Sequence, residues 1–206
     1  MPRFRRAGLL PLCNLLLSSE ADVVTSAAAH LSAFLSTSAE ACAADDGTPD
    51  PIGRAQLVLK LGAKKTVAWS GIELFAKVAS GEPTGEGLPK PSNEAAAGAA
   101  TCAQCVVKGI ISRGKSAEIG SLTGNEASVQ SLSKAILSDN QAAAEGALAA
   151  LHLLACQSDS VATLAMSAGV CTGLVRHLSL FSDTQAASVD GTCEDAAEET
   201  TRFIIS

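Results

Sequence analysis

The chain has 206 residues, of which 47% are hydrophobic and only 3% aromatic, and its formal net charge is −6. This hydrophobic share excludes a chain that is disordered by composition. The acidic balance and the lack of a long Lys or Arg run argue against nucleic-acid binding, which needs clustered cations to displace counterions. Ala dominates the apolar residues and is the best helix former, so an all-α fold is predicted.

The chain opens with a short apolar segment, residues 8–17, that is predicted to form a helix with Pro11 in its first turn, where a missing N–H costs little. A second helix is predicted to start at Ser19 or Glu20, because its apolar residues recur at i, i+3 and i+4. The basic start MPRFRR before the apolar segment is also typical of a secretory or organellar targeting sequence. The smooth continuation into the second helix favours a folded first unit, residues 7–36.

Three further units are predicted, each in the order short helix, helix, loop and long helix, at residues 51–112, 113–157 and 158–206. Within them, helical spacing of apolar residues predicts helices at about residues 54–62, 64–79, 93–112, 115–122, 126–137, 141–156, 159–169, 170–181 and 193–205. Asp139 or Asn140 is expected to cap the helix that follows. Flexible insertions rich in Asp, Gly, Pro or Ser are predicted at residues 37–50, 80–92 and 182–192.

Two pairs of segments recur along the chain. AGLLPLCNLLL at residues 7–17 shares its opening and apolar spacing with AGVCTGLVRHLSL at residues 168–180, and SSEADVVTSAAAHLSAFLS at 18–36 parallels SDNQAAAEGALAALHLLA at 138–155. This pattern resembles the armadillo repeat, in which a Gly kink leads into an apolar second helix and an A-x-x-x-A-L-x-x-L third helix follows. The resemblance implies a right-handed α-solenoid of about four repeats, with residues 1–206 as a single domain. The HEAT repeat, with two helices per unit, is the nearest alternative.

The resemblance also implies where a partner would bind. Armadillo families that bind extended peptides carry an Asn ladder on the concave face of their third helices, and the matching positions here are Ala33, Gln104, Ala150 and Arg202. The position four residues earlier, often Trp in nuclear-import adaptors, is taken by Ala29, Ala100, Gly146 and Glu198. The absence of both patterns argues against recognition of nuclear-localisation signals. We expect a concave face of small residues that accepts a partner's helix or close backbone, or small residues that only tighten the packing between units.

The seven cysteines are odd in number and mostly follow helical apolar spacing, which favours free thiols in a reducing compartment and hence the cytoplasm. An organellar location remains the alternative if residues 1–20 act as a targeting segment. Cys102 and Cys105 form a C-x-x-C, and with His152 and Cys156 they define an alternative zinc or catalytic site with three Cys and one His. Aligning the repeats instead places Cys102 and Cys105 on the core positions of Leu148 and Leu151.

No nucleophile elbow, metalloprotease motif or phosphate-binding loop is present, so neither an enzyme nor a cofactor is expected. Nor is a membrane span, since no run approaches eighteen or so apolar residues. The function expected is that of a non-enzymatic scaffold or subunit that binds protein partners through the solenoid surface, and the alternative is a co-chaperone or adaptor. The apolar residues near the chain ends are expected to be covered by neighbouring subunits or by a longer array: Leu9, Leu10, Leu12 and Phe203–Ile205.

Overall fold

A computed structural model of the chain describes residues 9–36, 54, 58, 72–112 and 126–187. Within these ranges every regular element is a helix and there is no strand, which confirms the all-α prediction for this part of the chain. The chain divides into two compact units, Met1–Gly173 and Leu174–Ser206. That residues 1–206 form a single domain stays a prediction.

The helices are numbered in chain order. Residues 9–14 form α1, which continues into a 3-10 turn at Leu15–Leu17. The remaining helices are α2 (Ala21–Ser36), α3 (Glu73–Ala79), α4 (Asn93–Ile111), α5 (Glu126–Leu137), α6 (Gln141–Ala155), α7 (Asp159–Ser167) and α8 (Val170–Ala187).

Most of these helices match the sequence-based prediction to within two residues, but two differ. The helix predicted from residue 64 begins at Glu73 in the described part, after Ile72 in a non-helical conformation. Gly71 precedes this start, and Gly is unfavourable inside a helix. Helix α8 runs to Ala187 through the insertion predicted from Ser182, because nothing between these residues is Gly or Pro. The predicted segments 37–50, 115–122, 188–192 and 193–205 lie outside the described residues.

Side chains at the N-caps of α4 and α6 also join neighbouring helices. The Ser92 hydroxyl accepts from the N–H of Ala95 and lies 2.7 Å from the hydroxyl of Thr25 in α2. Asn140 is the N-cap of α6, as one of the two predicted alternatives: its Oδ1 accepts from Ala143 N, and its Nδ2 donates to the carbonyl of Asn93 at 2.7 Å. Each cap therefore satisfies an unpaired helix-end N–H and bonds to the long helix before it.

The first unit is built from two sets of helices. Helices α2, α4 and α6 pack side by side in chain order, and α3 and α5 pack on each other and on this row, with α7 against α5 and α6. Between the two sets lies a core of aliphatic side chains and one fully buried aromatic, Phe75. Near the end of α2, the buried Arg54 donates to the carbonyl of Phe34 and stacks over its ring at 4.7 Å.

The connection between α3 and α4, predicted as an insertion, is a series of turns over residues 80–92. Gly81 and Gly87 have φ of 70° and 74°, a left-handed conformation that Gly adopts without strain. Glu82 in this connection contacts Lys134 of α5 at 2.8 Å, although both side chains are about half exposed, so the ion pair contributes little stability.

Among the described helices, none is by itself long and apolar enough to cross a bilayer. Only α7 and the beginning of α8, taken jointly, reach that length and composition.

Candidate functional site

Two glycines set how closely the long helices approach one another. A Cβ placed on Gly146 of α6 would lie 2.9 Å from the Cβ of Ala100 and 3.0 Å from its carbonyl carbon. A Cβ placed on Gly98 of α4 would lie 3.1 Å from the backbone carbon and oxygen of Ala28 in α2. Real Cβ atoms essentially never come as near as 2.9 Å, so the Gly146 contact requires Gly, while a Cβ on Gly98 would need the neighbouring backbone to shift by a few tenths of an ångström.

These two contacts join equivalent positions of the helices. Gly98 and Gly146 are each the sixth residue of their helix, while Ala28 and Ala100 are each the eighth residue of the preceding long helix. Positions 98 and 100 are about 200° apart around α4, at about 100° per residue, so α2 and α6 lie on opposite sides of α4. The long helices therefore stack in one common register.

This register corrects the alignment made from the sequence. Counted from the helix starts, Cys102 is equivalent to Ala150 and not to Leu148, so the sequence alignment is two residues out for α6. The burial agrees with the corrected register, because Cys102 and Ala150 are both fully buried whereas Leu148 is half-buried. Cys105 is equivalent to Leu153, not to Leu151, and both members of that pair are half-buried.

The predicted concave residues therefore do not occupy equivalent positions on the long helices and do not form one continuous surface. Ala29 and Ala33 are exposed on α2 and Gln104 is half-buried on α4, whereas Gly146 and Ala150 are buried and unavailable to a partner. In an Ala-rich helix, small size alone does not distinguish a surface position from a helix–helix contact. Ala100 is likewise buried against Gly146, and the other predicted positions, Glu198 and Arg202, lie outside the described residues.

The common register reveals which positions remain accessible along the row. The ninth and thirteenth residues of α2, α4 and α6 are all exposed or half-buried, and we call this surface the long-helix face: Ala29, Thr101, Ala149, Ala33, Cys105 and Leu153. None of these six side chains is charged, although the fifth and twelfth residues of the same helices, which include Glu145 and His152, are also exposed or half-buried. The Thr101 hydroxyl donates to the carbonyl of Ala97 in its own helix, so its one hydrogen-bond donor is satisfied.

The four-residue zinc or catalytic alternative is not formed. No group of three or more potential metal ligands occurs in the described ranges, although Cys102, Cys105, His152 and Cys156 all belong to them. Cys102 is fully buried, and burial holds the pKa of its thiol well above the usual range. Burial also raises the pKa of Cys13 to about 12 and that of Cys105 above its ordinary value. These thiols stay protonated at neutral pH and are poor nucleophiles.

His152 and Cys156 form a separate pair. Both are exposed at the end of α6, and the imidazole Nε2 lies 3.8 Å from the thiol sulfur. The sequence groups these two residues with Cys102 and Cys105, but Cys102 is fully buried and Cys105 is half-buried, whereas His152 and Cys156 are exposed.

A depression of about 280 Å³ lies between α5 and α7. Its polar groups are already engaged: Lys134 pairs with Glu82, Gln130 donates to Glu126, and the Ser167 hydroxyl donates to the Leu164 carbonyl. Its lining includes neither His nor Cys, so it lacks a thiol or imidazole for catalysis.

A short sequence motif indicates the observed register, and the sequence-based alignment did not use it. Helices α4 and α6 share the pattern A-A-x-G-A at residues 95–99 and 143–147, with Gly at the position that touches the previous helix. Aligning on this Gly, and not on the Leu spacing, gives the observed register.

No protein-family model, curated protein or solved structure significantly matches this chain. The long-helix face is therefore defined by the packing and exposure of the chain's own residues.

Proposed function

We propose that the chain is a non-enzymatic helical-repeat scaffold, built on an armadillo-like plan, that binds a protein partner through the long-helix face. The supporting observation is the common register, because it buries the sixth and eighth positions between α4 and α6 and leaves the ninth and thirteenth accessible on all three helices. A surface that repeats from helix to helix is how repeat proteins present an extended binding site.

The side chains of this face indicate what kind of partner fits. Ala29, Ala33 and Ala149 end at a methyl group, and the Thr101 hydroxyl is bonded within its own helix. Short, uncharged side chains let a second backbone approach closely but offer no fixed pattern of polar groups to an extended peptide. An amphipathic helix that places its apolar side on the face suits this surface better than a peptide read through Asn amides.

Hydrogen-bonded caps support a pre-formed surface. Ser92 and Asn140 bond to the long helix that precedes their own, so they help to fix the spacing of the helices that carry the face. A rigid site loses less conformational entropy on binding.

The test is to isolate bound proteins by affinity purification with mass spectrometry and then to measure their affinity for purified variants. Ala29→Arg and Ala33→Arg place a long cation on the exposed end of the face, whereas Ala127→Arg makes the same change on an exposed alanine of α5. We expect each face variant to weaken binding at least about tenfold, because a desolvated cation and the lost close approach both oppose the complex.

The control is expected to bind like the parent, with circular dichroism and melting temperature confirming that all three variants are folded. A partner that binds both face variants with the parent's affinity uses another surface, and that result overturns the proposal.

A further inference from the structure

His152 and Cys156 stand four residues apart at the C-terminal end of α6, so their side chains share one side of the helix. The imidazole Nε2 and the thiol sulfur are 3.8 Å apart, and both residues are exposed. Imidazole nitrogen and thiolate sulfur are the ligands that Zn²⁺ and similar soft or borderline cations prefer.

The separation of the two atoms suits joint coordination. A tetrahedral Zn²⁺ with a sulfur at about 2.3 Å and a nitrogen at about 2.0–2.1 Å holds those two ligand atoms about 3.5 Å apart. The observed 3.8 Å is within a few tenths of an ångström of that distance, a gap that small side-chain rotations close. Neither ligand has to leave the helix or cross to another element.

The location adds an electrostatic reason. Cys156 is the C-cap of α6, where unpaired carbonyl groups make the helix end negative and favour a nearby cation. A thiolate alone would be disfavoured at this end, but a metal–thiolate unit that carries net positive charge is not.

We propose that His152 and Cys156 form a two-ligand site for a zinc-class divalent cation at the end of α6, with water in the remaining coordination positions. On binding, the Cys156 thiol gives its proton to the solvent as the sulfur–metal bond forms, and the neutral imidazole donates its Nε2 lone pair. Cys102 takes no part because it is fully buried. The metal site does not require the proposed partner binding, although His152 lies next to Leu153 of the long-helix face.

The experiment uses Cd²⁺, whose bond to thiolate gives a charge-transfer absorption band in the ultraviolet. The full chain, reduced and metal-free, carries serine in place of the exposed Cys171 and of Cys42 and Cys193, which lie outside the described residues. In this background we expect one equivalent of Cd²⁺ to saturate the band, and an excess of Zn²⁺ to remove the band by competition, since the softer Cd²⁺ binds thiolate more tightly. Cys156→Ser is expected to abolish the band, and His152→Gln to weaken Cd²⁺ binding at least about tenfold.

His30→Gln is the matched control, since it removes an exposed imidazole of α2 without touching the pair. It is expected to leave the affinity and the band unchanged. Imidazole ¹⁵N shifts supply a second readout, in which Nε2 of His152 moves on Cd²⁺ addition. The proposal is overturned if Cys156→Ser keeps the band, or if His152→Gln binds Cd²⁺ within about twofold of its parent.

Discussion

At the scale of single residues, the small side chains matter mainly because they allow adjacent helices to pack closely. Gly146 and Gly98 lie where a Cβ would press on the backbone of the adjacent helix. Gly in a helix interior costs about 1 kcal/mol relative to Ala. That cost is offset by the burial of the surrounding alanines, such as Ala99 and Ala147, which are fully buried.

The buried thiol of Cys13 makes stability depend on pH in the alkaline range. The thiol ionises near pH 9 when exposed, but burial raises its pKa to about 12 in the folded chain. Between these values the unfolded chain binds fewer protons than the folded one, so the free energy of unfolding falls as pH rises. The contribution is fully present below pH 9, and its slope is at most about 1.4 kcal/mol per pH unit.

We therefore expect Cys13→Ala to unfold with a shallower loss of stability between pH 9 and 11 than the parent, measured by urea denaturation at each pH. Val24→Ala is the control, because it also trims a buried side chain but removes no titrating group. It is expected to lower stability at every pH with the parent's slope. Identical slopes in Cys13→Ala and the parent would show that this thiol ionises as readily in the folded chain as in the unfolded one.

At the scale of elements, Asn140 contributes in two ways that substitution can separate. Its Oδ1 caps α6 by accepting from Ala143 N, and its Nδ2 donates to the Asn93 carbonyl at 2.7 Å. Asn140→Ala removes both bonds and is expected to cost about 2 kcal/mol of unfolding free energy.

Asn140→Asp keeps the acceptor that caps α6 but loses the donor to α4. Its free energy of unfolding is therefore expected to lie between those of the parent and of Asn140→Ala. Thermal or urea unfolding measures both variants. Gln130→Ala on the exposed side of α5 serves as the control and is expected to stay within about 0.5 kcal/mol of the parent. An Asn140→Asp variant as unstable as Asn140→Ala would mean that the bond to Asn93, and not the cap, accounts for the effect.

The helices themselves could be predicted largely from the sequence. Helix α5 has the predicted bounds, and α4 and α6 end within one residue of theirs, because apolar spacing and the caps Ser92 and Asn140 mark them. The end of α8 was missed because Ser182–Gln185 favour a loop by composition but contain no residue that stops a helix. Gly and Pro are the residues that most strongly stop a helix, so a polar composition without them is a weak predictor of a helix end.

The candidate site was less predictable than the helices. Alanine recurs so often in α4 and α6 that aligning the two helices two residues out of register matches their sequences almost as well as the observed register does. The Leu spacing favoured the incorrect alignment. Exposed positions such as Ala33 and buried ones such as Ala150 then look alike. What distinguishes them is the helix-to-helix contact at Gly146, which depends on packing between segments far apart in the chain.

At the scale of the whole molecule, the first unit combines the three-helix row with the layer of α3 and α5 that covers its other side. Because α3 and α5 cover one side of the row, the equivalent positions on its other side stay accessible and form a repeating surface. The predicted coverage of the chain's apolar ends stays a prediction: Leu9 is buried, while Leu10 is half-buried and Phe203–Ile205 lie outside the described residues.

The central claim is that α4 and α6 stack with the sixth residue of one against the eighth residue of the other, and a double-mutant cycle tests it most directly. Gly146→Ala alone is expected to cost up to about 2 kcal/mol, because about 1–3 kcal/mol of overpacking at a Cβ 2.9 Å from that of Ala100 exceeds the about 1 kcal/mol that Ala gains over Gly in a helix. Ala100→Gly removes one side of that clash, so the double variant should be more stable than the sum of the two single changes predicts.

Urea unfolding of the parent, both single variants and the double variant gives the coupling energy, which we expect to favour the double variant by about 0.5 kcal/mol or more. Pairing Gly146→Ala with Ala127→Gly, at an exposed site on α5, supplies the additive reference. If Gly146→Ala and Ala100→Gly are also additive, residues 100 and 146 are not in contact, and the common register of the long helices is wrong.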